Sequence, residues 1–127
     1  MQELERTKLL DEFGSMVIRE VRDYCLTLGM KTVEGQMRGL KSAEIGNKLA
    51  HLSAEDKKVI IELLSWTITD TIYELLHTLG YSDQTKLLIV DNGIEYDIKD
   101  IDKEVGAEIT FLDNGWIQRF SKIDWPQ

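Results

Sequence analysis

Asp70, Glu74 and His77 stand four and three residues apart, a spacing that puts all three on one face of a helix. A carboxylate beside an imidazole can orient a general base. Glu74-x-x-His77 is also half of the ligand set used by di-iron carboxylate bundles, which need a second such pair and two more glutamates on facing helices. The chain has only two histidines, His51 and His77, and no second Glu-x-x-His. The di-iron reading fails on ligand count. What remains is either a small-molecule pocket built on Asp70, Glu74 and His77, or the polar face of a helix that is apolar elsewhere.

The second concentration of reactive side chains is acidic. Asp91, Glu95, Asp97, Asp100, Asp102, Glu104, Glu108 and Asp113 face only Lys99 and Lys103, so 23 residues hold -6 of the net charge of -8. Tested as a calcium loop from Asp100, the run puts Val105 where glycine is required and Phe111 where the bidentate glutamate belongs. Started at Asp97, it meets Lys99 at the third position. Neither register works. A single cysteine, Cys25, and two histidines rule out a Cys₂His₂ zinc site and an intramolecular disulfide. No phosphate-cradling glycine loop, nucleophile elbow or H-E-x-x-H is present. No metal or cofactor is expected. An acidic surface repels nucleic acid and attracts a basic protein or a cation. Asp91, Glu95, Asp97, Asp100, Asp102 and Glu104 are therefore the candidate partner-binding residues.

These groups need a scaffold. With 127 residues, 43% of them hydrophobic, the chain suits one domain spanning residues 1–127 around an ordinary core. Leu10, Phe13, Val17, Val21, Tyr24 and Leu28 recur at helical steps and predict a first helix over 2–28, with Cys25 on its apolar face and Gly29 as C-cap. Residues 32–52 read as one helix or two short ones. Gly35, Gly39, Ala43, Gly46 and Ala50 form a series of small residues there that would let a neighbouring backbone come close. Ser53 and Asp56 resemble a capping box, opening a third helix whose stripe Ile61, Leu64, Ile68, Ile72, Leu75 and Leu79 ends at Gly80. The run from Ser65 to Tyr73 alternates like a strand but lies in phase with that stripe.

After Gly80 the grammar changes. Two alternating runs flank Asp91-Asn92-Gly93, the short-hairpin signal. A similar arrangement surrounds Asp113-Asn114-Gly115, although Asp113 could instead cap a final helix over 115–122. Leu87, Ile89, Tyr96, Ile98, Ile109, Phe111, Trp116 and Phe120 are the expected apolar face. The fold class is α+β: about three N-terminal helices (residues 1–80) packed on a small C-terminal antiparallel sheet of three to four strands (residues 86–120).

Leu52-Ser53-Ala54-Glu55-Asp56-Lys57 leading into a helix with Asp70-Thr71-Ile72-Tyr73, and the closing run from Asp113 to Lys122, resemble small, uncharacterised bacterial proteins of a helices-then-strands kind, some of them immunity-protein-like. The resemblance implies a bacterial origin and no activity. The N-terminus lacks the apolar core of a secretory signal, and no run approaches the ~20 apolar residues of a membrane span. The expectation is a cytoplasmic, non-catalytic interaction protein of immunity or adaptor type, with a homodimer through the glycine-rich segment or a sheet edge as a further option.

Overall fold

The computed structural model describes residues 1–109 and 114–123. It is α+β and mostly helical, with one small antiparallel sheet.

One helical run opens the chain. α1 (Glu3–Met16), a π-helical turn (Val17–Arg22) and α2 (Asp23–Val33) follow one another with right-handed helical backbone at both junctions. In the π turn the Asp23 N–H donates to the Ile18 carbonyl, five residues back, so the turn holds one residue more than an α turn. That residue rotates everything after it. The expected stripe holds through Val17 and then breaks: Val21 and Tyr24 are 44% and 60% exposed, and Cys25 is exposed as well. Ile18, Arg22 and Leu26 take the interior, each with no exposed surface.

The helix also runs past its expected end. Gly29 stays inside it, because a Cβ there would sit 2.9 Å from Leu64 Cδ1 on the neighbouring helix. The terminator is Gly35, at φ 72°. Its N–H donates to the Thr32 carbonyl and that of Gln36 to the Lys31 carbonyl, the paired bonds of a Schellman close. A single helix, α3 (Leu40–Leu49), follows. The small-residue series acts at Gly46, where a Cβ would lie 2.9 Å from the Thr32 carbonyl oxygen. Leu40 and Ile45, two apolar residues of α3, are exposed.

α4 (Ala54–Tyr81) starts as the capping signal predicts, with the Asp56 N–H donating to Ser53 Oγ over 3.1 Å. It runs antiparallel to α1 and α2, with Leu64 against Gly29 and with Ser65 and Thr69 against Arg22. The β-branched stretch stays helical. Val59, Leu63, Trp66 and Leu75 lie exposed, so this helix buries a narrower face than its apolar content suggests.

β1 (Leu88–Asp91) and β2 (Ile94–Asp97) form the hairpin, with Asn92 at φ 52° and Gly93 at φ 79°, the two positive values of a type I′ turn. α5 (Ile98–Ile101) and a 3₁₀ turn (Val105–Glu108) follow, and α6 (Trp116–Phe120) is helical. Among the described residues the sheet has two strands, not three or four. Ile109 lies outside any strand, and the remainder of the expected third strand, Thr110 to Leu112, lies outside the described residues together with Asp113 and Trp125. Trp116 and the adjacent Ile117 are both buried, which a strand with alternating faces cannot achieve and one helical turn can.

Six of the eight expected apolar residues nonetheless meet. Ile98, Ile109 and Trp116 join Val17, Ile18 and Leu76 in one core cluster, with Leu87, Ile89 and Phe120 packed against it. A second cluster gathers Leu26, Val33 and Ile61. Gly14 seats the Trp116 indole, where a Cβ would come within 2.4 Å of ring carbon Cε2, and Phe13 meets the ring edge-on at 5.8 Å. Gly14→Ala therefore has to displace a fully buried ring. We expect a loss of roughly 1–3 kcal/mol in urea unfolding, with Trp116 fluorescence shifting in the folded baseline.

Candidate interaction surface and buried polar centre

The acidic residues are spread over three consecutive pieces of chain. Asp91 and Glu95 lie on the hairpin strands, opposite Ile94 and Val90 respectively. Asp97 accepts from the Lys99 N–H at 3.0 Å and so caps α5, and Asp102 accepts from the Glu104 N–H at 2.9 Å. Asp100 is exposed. Glu104 accepts from the Tyr81 hydroxyl, tying the end of α4 to this loop and holding the Tyr81 phenol above its usual range. Lys99 donates to the Ser82 carbonyl instead of to a carboxylate. Among the described residues no lysine or arginine forms an ion pair with any of the six.

Glu108 adds a seventh carboxyl. Partial burial first, then a hydrogen bond with Asp102 and the Asp102 charge, hold it above the ordinary glutamate range, while Arg119 opposes the shift.

The expected trio on α4 separates. Asp70 borders a concavity of about 230 Å³ shared with Trp66, Thr69, Tyr73 and Ile109. Glu74 is exposed to solvent, and His77 does not meet either acid. The imidazole instead stacks on Tyr73, with centroids 5.7 Å apart, and tilts against Tyr81 at 4.7 Å. Among the described residues no carboxylate is hydrogen-bonded to it. Among the described residues no group of three or more histidine, cysteine or acidic side chains is placed to hold a metal ion.

The most constrained polar group is one that periodicity does not single out. Arg22 has no exposed surface. Its Nε donates to Thr69 Oγ1 at 2.9 Å, Nη2 to Ser65 Oγ at 3.2 Å and Nη1 to Asp23 Oδ1 at 3.0 Å. Asp23 in turn accepts from Ser121 Oγ at 2.9 Å and from the Lys122 N–H at 2.7 Å. Burial pulls the guanidinium below the usual arginine value, and the Asp23 charge opposes that. The centre lies between the two apolar clusters along both long helices and fastens the segment after α6 to α2. Its only trace in the sequence is adjacent opposite charges in an apolar run, which a helix normally turns outward.

Comparison of the chain with family models, curated proteins and solved structures finds no match.

Removing Asp23 leaves a buried, unpaired guanidinium, so Asp23→Ala is expected to cost about 3–5 kcal/mol in denaturant unfolding. Arg22→Met combined with Asp23→Leu should cost less than the two single changes summed, which a double-mutant cycle will measure. Glu108 carries a pH signature. A carboxyl raised in the folded state contributes stability that is fully present below its unfolded value and is lost as pH rises through the folded value. The melting temperature of the wild type relative to Glu108→Gln should therefore fall as pH climbs out of the acid range, read by thermal melts from pH 3 to 8.

Proposed function

We propose that this chain is a non-catalytic interaction protein, of immunity or adaptor type, whose acidic hairpin and following loop bind a basic protein partner in the cytoplasm. The observation that carries this reading is that Asp91, Glu95, Asp97, Asp100, Asp102 and Glu104 form no ion pair with a lysine or arginine among the described residues. Carboxylates with no internal cation beside them keep their attraction for an oppositely charged surface. Beside them, Leu88, Val90 and Ile94 are 44%, 64% and 56% exposed. Apolar side chains ringed by one sign of charge suit a partner better than they suit water. Among the described residues no helix is long and apolar enough to cross a membrane.

A second reading rests on the concavity next to Asp70. Trp66 and Tyr73 offer aromatic faces and Asp70 a carboxylate with no hydrogen bond or ion pair among the described residues, the combination that suits a small organic cation. Of the trio first considered, only Asp70 belongs to it. Quenching of Trp66 fluorescence by tetramethylammonium, abolished by Asp70→Asn, would favour this reading over the first.

The partner reading has its own test. Reversing Glu95 and Asp100 to lysine leaves the Asp97 and Asp102 caps intact. Binding of a lysine-rich peptide should then weaken about tenfold at 50 mM salt, as charge attraction becomes repulsion. The same binding should fade as salt rises to 500 mM. Affinity indifferent to both changes would sink the proposal.

A further inference from the structure

The hairpin has an open side. Asp91 and Ile94 flank a two-residue turn and form a hydrogen-bonded pair, and every second pair outward from it repeats that state. The Ile98 N–H donating to the Leu87 carbonyl at 2.9 Å confirms the parity at the far end. Leu87, Ile89 and Asp91 thus turn their backbone groups toward β2. Leu88 and Val90 turn theirs away from β2, and among the described residues no strand pairs with them. A groove of about 330 Å³ runs along this edge, walled on its far side by Leu9, Glu12, Phe13 and Met16. Unpaired backbone donors and acceptors beside an apolar trough are what a strand needs in order to add to a sheet.

Resting on the acidic-surface reading, we infer that β1 captures an extended segment of the partner as a third strand, one in which apolar and basic residues alternate. Side chains of an added strand point alternately to the two faces of the sheet. Those on the Ile89 face drop toward Leu9, Phe13 and Met16, so they are apolar. Those on the other face run beside Leu88 and Val90, whose cross-strand partners are Asp97 and Glu95. These carboxylates lie two strand spacings from the added strand, about 10 Å, a gap that a lysine or arginine and a leaning carboxylate close together. Glu12 supplies a further acid at the groove wall. A second copy of this chain is the wrong occupant, because pairing β1 with β1 brings two acidic hairpins, each with Asp91, Glu95 and Asp97 and no basic residue between Leu88 and Asp97, against each other.

The test uses a capped nonapeptide of alternating lysine and valine and the intact protein. Amide hydrogen exchange at Leu88 and Val90 should slow at least about tenfold on binding, while Ile89 and Asp91, already bonded to β2, change little. Val90→Pro removes an outward donor and keeps the hairpin ladder, so peptide affinity should drop about tenfold or more. Should that variant fail to fold, the exchange at Leu88 in the wild type still decides. Binding that leaves both amides unprotected and ignores Val90→Pro, yet weakens in the Glu95→Lys, Asp100→Lys protein, overturns strand addition and leaves the acidic surface standing. No binding at 20 mM salt overturns both. Self-association that protects Leu88 and Val90 without peptide, and vanishes in Val90→Pro, makes the second copy the occupant and overturns the inference.

Discussion

A charged group with no access to water has to be answered by its surroundings, and Arg22 is answered by four side chains from three stretches of sequence. That requirement organises the molecule. Ser65 and Thr69 must face α2, which fixes the rotation of α4 about its axis. Asp23 pairs with Arg22, and its remaining acceptor capacity goes to Ser121 and the Lys122 backbone, which fixes where the chain goes after α6. Hydrophobic burial supplies the drive to collapse, but it is non-directional and tolerates many arrangements of two apolar clusters. The hydrogen-bonded centre between them selects one.

The parts of the fold that were legible are those decided by local chemistry. Ser53 caps α4, and Asn92-Gly93 closes a hairpin, because a capping hydroxyl and two positive φ angles are properties of a few adjacent residues. Illegible were the features settled by distant ones. Gly29 looks like a helix end until Leu64 is seen against it, and Gly14 looks like a flaw until Trp116 is found lying on it. The segment 116–120 alternates well enough for a strand. Its assignment turned on Trp116 and Ile117 both needing the interior, which no pattern of single residues announces.

The candidate site divides along the same line. The acidic concentration is a matter of composition, so it is visible at once, and among the described residues its six candidate carboxylates form no ion pair with a lysine or arginine. The geometry that gives it meaning is a hairpin whose parity leaves Leu88 and Val90 facing outward, and parity depends on where a turn falls. The α4 trio shows the opposite failure. Spacing put Asp70, Glu74 and His77 on one face correctly, but shared direction is not contact. His77 finds two tyrosines at its own helical spacing before it finds an acid.

The turn at Val17–Arg22 is a helix carrying one amino acid too many. Losing a codon there would restore an unbroken α-helix with better local geometry. The same deletion would swing the guanidinium toward solvent and bring an unsuited neighbour into its place. The smoother helix would belong to the poorer protein, and any descendant chain that straightens this stretch has to rebuild its interior at the same time.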